Sequence, residues 1–191
     1  FWIPSALGRT YGLSQLEVAS YLKIWGLMTV TLGTVGTLAG GVIADRMRRA
    51  RDDGYILLAM LSLLLIGVSF GGFLLMRSPA LALLWLTPAA LATALPPVAA
   101  TAAAMEIIPR QMRSLLFATW MLIVSLIGLS TGPALIGFVS DHLFGGGAGV
   151  RYAIPLCSAA GLAFAVPLLL AVRGVYHRTM TEAAQISARG L

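Results

Sequence analysis

Of the 191 residues 59% are hydrophobic and only 10% charged, with a mean hydropathy of +0.91, against roughly a quarter charged in typical soluble domains. That balance excludes an ordinary water-soluble domain and makes lipid the expected solvent. The net charge of +6 comes from 13 Lys and Arg scattered between long apolar runs rather than gathered on one face, which argues against nucleic acid as a partner.

The chain opens on Phe1-Trp2-Ile3-Pro4. No charged segment leads into an apolar core and cleavage site, so this is not a signal peptide. It reads instead as a stub, residues 1–4, of an apolar helix ending near Ile3 and cut from a larger protein. A membrane-crossing helix needs about twenty apolar residues, and five later stretches supply them. The first two, 24–44 and 55–76, carry no charge between their ends. The third, 79–105, contains Pro96-Pro97, which should kink it. In the fourth, 115–140, Gly128-x-x-x-Gly132 is followed by Pro133, offering close packing and a bend. The fifth runs over 152–172. Stub and spans together make six transmembrane helices in residues 1–174, and 175–191 forms a tail. The glycine-rich 145–149 lacks the Lys-Ser/Thr ending of a phosphate loop and reads as a flexible connection.

When the spans alternate, one side receives Arg46, Arg48, Arg49 and Arg51, then Arg110 and Arg113, then Arg173, Arg178 and Arg189. The other receives Arg9, Lys23, Arg77 and Arg151. Arginine-rich short loops stay cytoplasmic, which puts the C-terminus inside and identifies an integral membrane protein, expected in a bacterial inner (plasma) membrane. Gly41-x-x-x-Asp45 closes the first span and Gly137-x-x-x-Asp141 the fourth. Three helices apart, the two lie at opposite faces, as an inverted three-plus-three repeat would place them.

Gly40 and Gly41 offer a surface for close helix approach. Asp45 can accept hydrogen bonds from a helix N-terminus or pair with an arginine, while Arg46, Arg48 and Arg49 stand at headgroup level. As a mere topology anchor the arginines are explained, but the acid is not. Cys157 lies in an apolar run, and His142 and His177 stand at the ends of such runs. No metal-ligand cluster and no catalytic pairing follows, so neither a metal nor an enzymatic role is expected.

Gly41-x-x-x-Asp45-Arg46-x-Arg48-Arg49 resembles the G-x-x-x-D-R-x-G-R-R signature of the major facilitator superfamily, with Arg48 where the family has glycine. That departure is common in the looser second-half copy, so the chain is identified as helices 7 to 12. Residues 106–154 are similar to the helix 10 to 11 region of spinster-like members, through Arg113-x-x-x-x-Ala118, Ser125 to Pro133, the Gly137-to-Phe144 segment and Arg151-Tyr152-Ala153. The resemblance implies half of a twelve-helix all-α fold, with a missing N-terminal six-helix half as partner. It also implies secondary active transport of a small or amphipathic, possibly lipid-like, organic solute by alternating access. A symporter of organic anions and a non-transporting receptor or scaffold of the same fold are the alternatives.

In the family fold helices 9 and 12 lie outside the cavity, and the second and fifth spans have few polar groups, so they read as peripheral, lipid-facing supports. The cavity wall would come from the stub and the first, third and fourth spans. Candidate lining residues are Trp2, Thr29, Thr34, Thr37, Thr87, Thr93, Trp120, Ser125 and Ser130. Gating candidates are Gly41, Asp45, Arg46, Arg48, Arg49, Arg113, Gly137 and Asp141. No ionisable residue lies deep in any span, so a coupling ion, H+ or Na+, would be handled by the other half.

Overall fold

The computed structural model describes residues 2–145 and 149–188, with residue 107 and those from 177 onward described by backbone alone. Arg189, the side chains of His177 and Arg178, and 146–148 of the glycine-rich connection therefore lie outside the described residues. All regular structure among the described residues is helical.

Helix α1 is Ile3–Tyr11, opened by Pro4 in its first turn and closed by Gly12, whose φ of 64° supplies the left-handed end that other residues resist. The stub was expected to end near Ile3, but the helix begins there. Helix α2, Gln15–Ala50, starts well before residue 24 because Ser14 and Glu17 form a capping box. The Glu17 carboxylate accepts from the Ser14 backbone N–H at 2.9 Å, and the Ser14 hydroxyl accepts from the Glu17 N–H. At 36 residues it is about 54 Å long, so its charged ends extend past any hydrocarbon core.

Helix α3, Gly54–Gly72, continues as a 3-10 turn at Phe73–Leu75. The third span is split into α4 (Pro79–Trp85), α5 (Thr87–Ala92) and α6 (Leu95–Ile107). One break precedes Pro96-Pro97, as expected. The other precedes Pro88, which likewise lacks the N–H a continuous helix needs. In the fourth span α7 (Arg113–Ile123) and α8 (Leu129–Leu143) are joined by a π-turn at Val124–Gly128, one turn before Pro133. The fifth span and the expected tail are a single helix, α9, Val150–Ala188.

Five helical stretches are long and apolar enough to cross a membrane: Gln15–Ala50, Gly54–Leu75, Pro79–Glu106, Arg110–Leu143 and Val150–Tyr176. They mark an integral membrane protein. Helix α3 packs on α9, α6, α5 and α2. The second span thus has helix neighbours on several sides and one outward face. Only Leu61, Leu64, Leu65 and Val68 face outward, while Tyr55, Leu58, Ser62 and Ser69 are buried.

Two cores form. One gathers Leu7, Phe73, Leu74, Leu86, Val150 and Ile154, and the other gathers Ala44, Tyr55, Leu58, Ala92, Leu95 and Ala99. Gly36-x-x-x-Gly40 sets how closely α2 meets the third span, since a Cβ at Gly36 would collide with the Leu91 carbonyl and one at Gly40 would lie 2.7 Å from the Leu95 side chain. A Cβ at Gly41 would meet nothing within 4 Å, so within this chain the packing stripe is Gly36 and Gly40, and Gly41 stands outside it.

Candidate functional site

The ends of α2 and α6 and the start of α3 meet the middle of α9 in a cluster of charges. Arg48 Nε donates to both oxygens of Glu106, at 3.0 and 3.1 Å, and its Nη1 donates to Asp52 one turn on, at 3.0 Å. The Tyr176 hydroxyl donates to Glu106 Oε2 at 2.6 Å. Beside this group Asp53 accepts from Arg51 at 3.2 Å and pairs with Arg173 at 2.5 Å. Burial alone would raise the Asp53 carboxyl; the Arg173 and Arg51 guanidiniums outweigh it and hold the group below its ordinary value.

Arg113 closes the end of α6, its Nη2 donating to the Met105 carbonyl at 2.7 Å and its Nε to that of Ile108 at 3.2 Å. A cation on the last carbonyls of a helix satisfies acceptors that have no intrahelical partner and complements the helix dipole. Together these contacts fasten the ends of α2 and α6 and the starts of α3 and α7 to one another and to α9. The alternation of spans inferred from loop charges places Arg48, Arg51, Arg113 and Arg173 on one side, and here they stand together.

The gating candidates divide. Arg48 is engaged, and it is the residue at the position where the resembled signature has glycine. Asp45, Arg46 and Arg49 are exposed and make none of the described ion pairs. Gly137 lies against the Trp2 indole, to which a Cβ would come within 3.4 Å, and Asp141 is exposed at the opposite end of the bundle from Asp45. Glu106, Tyr176 and Asp53 were not among the residues singled out. The signal for Glu106 was available: it is the one acid closing a 28-residue apolar span.

The lining candidates are not brought together around one space. Thr29, Thr34 and Thr37 each donate to a carbonyl four residues back on α2, at 2.7–2.8 Å, and Thr93 donates to the carbonyl of Ala90, three residues back, at 3.1 Å. The Thr87 hydroxyl is buried without a partner among the described residues. Ser125 lies in the π-turn and Ser130 just beyond it, both exposed. Trp120 joins Arg113, Phe117 and Thr101 around a cavity of about 110 Å³ between α6 and α7. Trp2 donates its indole N–H to the Pro133 carbonyl at 3.1 Å and closes one side of a different, apolar cavity of about 290 Å³.

No protein-family model, curated protein or solved structure matches the chain. Among the described residues no group of three or more His, Cys, Asp or Glu could hold a metal ion.

Proposed function

We propose that the chain is one six-helix half of a secondary active transporter of major facilitator type, moving an amphipathic organic solute by alternating access. The observation that carries this reading is the division within residues 41–49. Arg48 is spent on fastening its own half through Glu106 and Asp52, while Asp45, Arg46 and Arg49 stand exposed beside it. A rocking mechanism needs both parts: a bundle end that moves as one body, and a charged edge that can meet a second bundle in one state and leave it in another. Asp45 is the latch acid in this reading. The mostly apolar lining of the cavity between α6 and α7 favours a solute with an apolar body.

The test is flux in proteoliposomes of the full-length protein, with a panel of amphipathic solutes, for the natural chain and for Asp45→Asn. Solute-dependent flux that falls in Asp45→Asn, with a shifted balance of inward- and outward-open states, is the expected result. Unchanged flux and unchanged state populations in the variant would remove the latch. Absence of flux for every solute, from protein that keeps its helical content, would remove transport.

A further inference from the structure

The apolar cavity of about 290 Å³ behind Trp2 is lined by Phe70 and Phe73 of α3 and its following turn, Gly128, Gly132 and Pro133 of the fourth span, and Ile154 of α9. It thus involves the two spans set apart from the candidate cavity wall. It is about twice the size of a cavity that takes benzene. Its depth along the bundle follows from chain direction. Trp2 lies at the inner start of α1, and Ile154 lies one turn inside Arg151, the second residue of α9.

The rim above it is built differently. Near the outer ends of α1, α8 and α9, Thr10 Oγ1, Ser140 Oγ and Arg151 Nε are buried without a partner among the described residues, and all three can donate. The Tyr11 phenol nearby is pushed up by burial and drawn back down by Arg151, so the guanidinium faces a neutral group. All four described ion pairs lie at the other end of the bundle. The acids at this end are Glu17, engaged with Ser14, and Asp141, exposed and in none of those pairs.

We propose that this recess is a binding site for an anionic membrane phospholipid, with one acyl chain in the cavity between α1, α3, α8 and α9 and the phosphate on Arg151. The two parts have the order of the molecule: apolar space at hydrocarbon depth, and a cation with an unanswered Nε one helical turn further out than Ile154, where the helices emerge. Arginine suits the head because its fork donates two parallel bonds to a phosphate. The glycines leave room for the tail. The site depends on these helices lying in a bilayer, not on whether the protein transports anything.

The experiment is native mass spectrometry of the full-length protein, delipidated in mild detergent and offered phosphatidylglycerol or the phosphate-free diacylglycerol with the same acyl chains. The natural chain should retain phosphatidylglycerol roughly tenfold more strongly, the factor that one charged hydrogen bond confers. Arg151→Gln should abolish that preference. Gly132→Leu should displace both lipids by filling the cavity; since a Cβ there meets nothing within 4 Å, it has room to fold. Gly128→Leu, equally open, is a second variant of the same kind, and circular dichroism checks the helices of each. Equal retention of the two lipids by the natural chain would overturn the proposal, as would undiminished phosphatidylglycerol retention in all three variants. Loss of a dimer in Gly132→Leu with lipid retention unchanged would assign the recess to a second copy of the chain, and equally overturn it.

Discussion

Replacing Glu106 by Gln takes one negative charge from the point where the ends of α2 and α6 meet α9, while leaving an oxygen that can still accept from Tyr176. Of the two bonds from Arg48, at 3.0 and 3.1 Å, one is lost because an amide has a single acceptor oxygen, and the other loses the carboxylate charge. A hydrogen bond to a charged partner contributes about 1.5–3 kcal/mol, and an exposed ion pair about 0–1 kcal/mol. Side-chain exposures of 23% for Arg48 and 28% for Glu106 place this pair between those limits. Arg48 also keeps Asp52 as a partner, which limits the loss, so about 1.5 kcal/mol is expected. In a chain of this size that lowers the midpoint of thermal unfolding by roughly 3–6 °C. The assay is thermal unfolding of the purified protein in mild detergent for Glu106→Gln, Arg48→Met and the double variant. A coupling of about 1 kcal/mol between the two positions is expected, because each single change already removes the shared bond. Strictly additive shifts would refute the pairing, and with it the view that the arginine in the glycine position fastens this half together.

The packing stripe is checked by two leucines. Gly36→Leu drives a side chain into the Leu91 carbonyl and should abolish folding or cost about 1–3 kcal/mol, whereas Gly41→Leu should leave the midpoint unchanged; equal damage from both would contradict the register described. Thr29→Val, Thr34→Val and Thr37→Val should each change stability by less than about 0.5 kcal/mol, as for other surface changes away from special features, because each hydroxyl bonds only its own helix. A selective loss of flux in one of them would mark that residue as solute-facing. Asp53 has a folded pKa below its ordinary 3.8, so its contribution is fully present above about pH 4 and disappears as pH falls through the lower folded value. Unfolding midpoints at pH 6, 4 and 3 should therefore drop more steeply for the natural chain than for Asp53→Asn, and parallel curves would show that the Arg51 and Arg173 pairs do not stabilise the fold.

Much of the architecture could be read from hydropathy alone, since five apolar runs of spanning length admit few other structures. The helix ends could not, because hydropathy reports where lipid can lie and not where a helix stops. The start of α2 is set by Ser14 and Glu17, a capping pair outside the apolar run, and the continuation of α9 past residue 174 costs nothing in water or at an interface. The break at Leu86 did have a local cause in Pro88, less conspicuous than the doubled proline that begins eight residues later. The central place of α3 was hidden for a different reason. A helix apolar on every side has no face that periodicity can assign, so few polar groups suggested lipid contact where the structure has helix contact.

The charged site depends on a register that no short motif contains. Arg48 with Asp52 is a four-residue helical pair, legible from spacing alone, but Arg48 and Glu106 are 58 residues apart. Their meeting is arranged deeper in the bundle, where Gly36 meets Leu91 and Gly40 meets Leu95. Both partners advance four residues between the two contacts, so α2 and the third span run in the same direction and in step. From that level Arg48 lies about 12 Å further along α2 and Glu106 about 16 Å further along α6, a mismatch that the long arginine side chain can span. Small residues in the membrane interior thus decide which charges meet at its edge. Asp45, three residues before Arg48 and so on the same side of that helix, is exposed and makes none of the described ion pairs, so an acid that looked central in the sequence is left free of its own half.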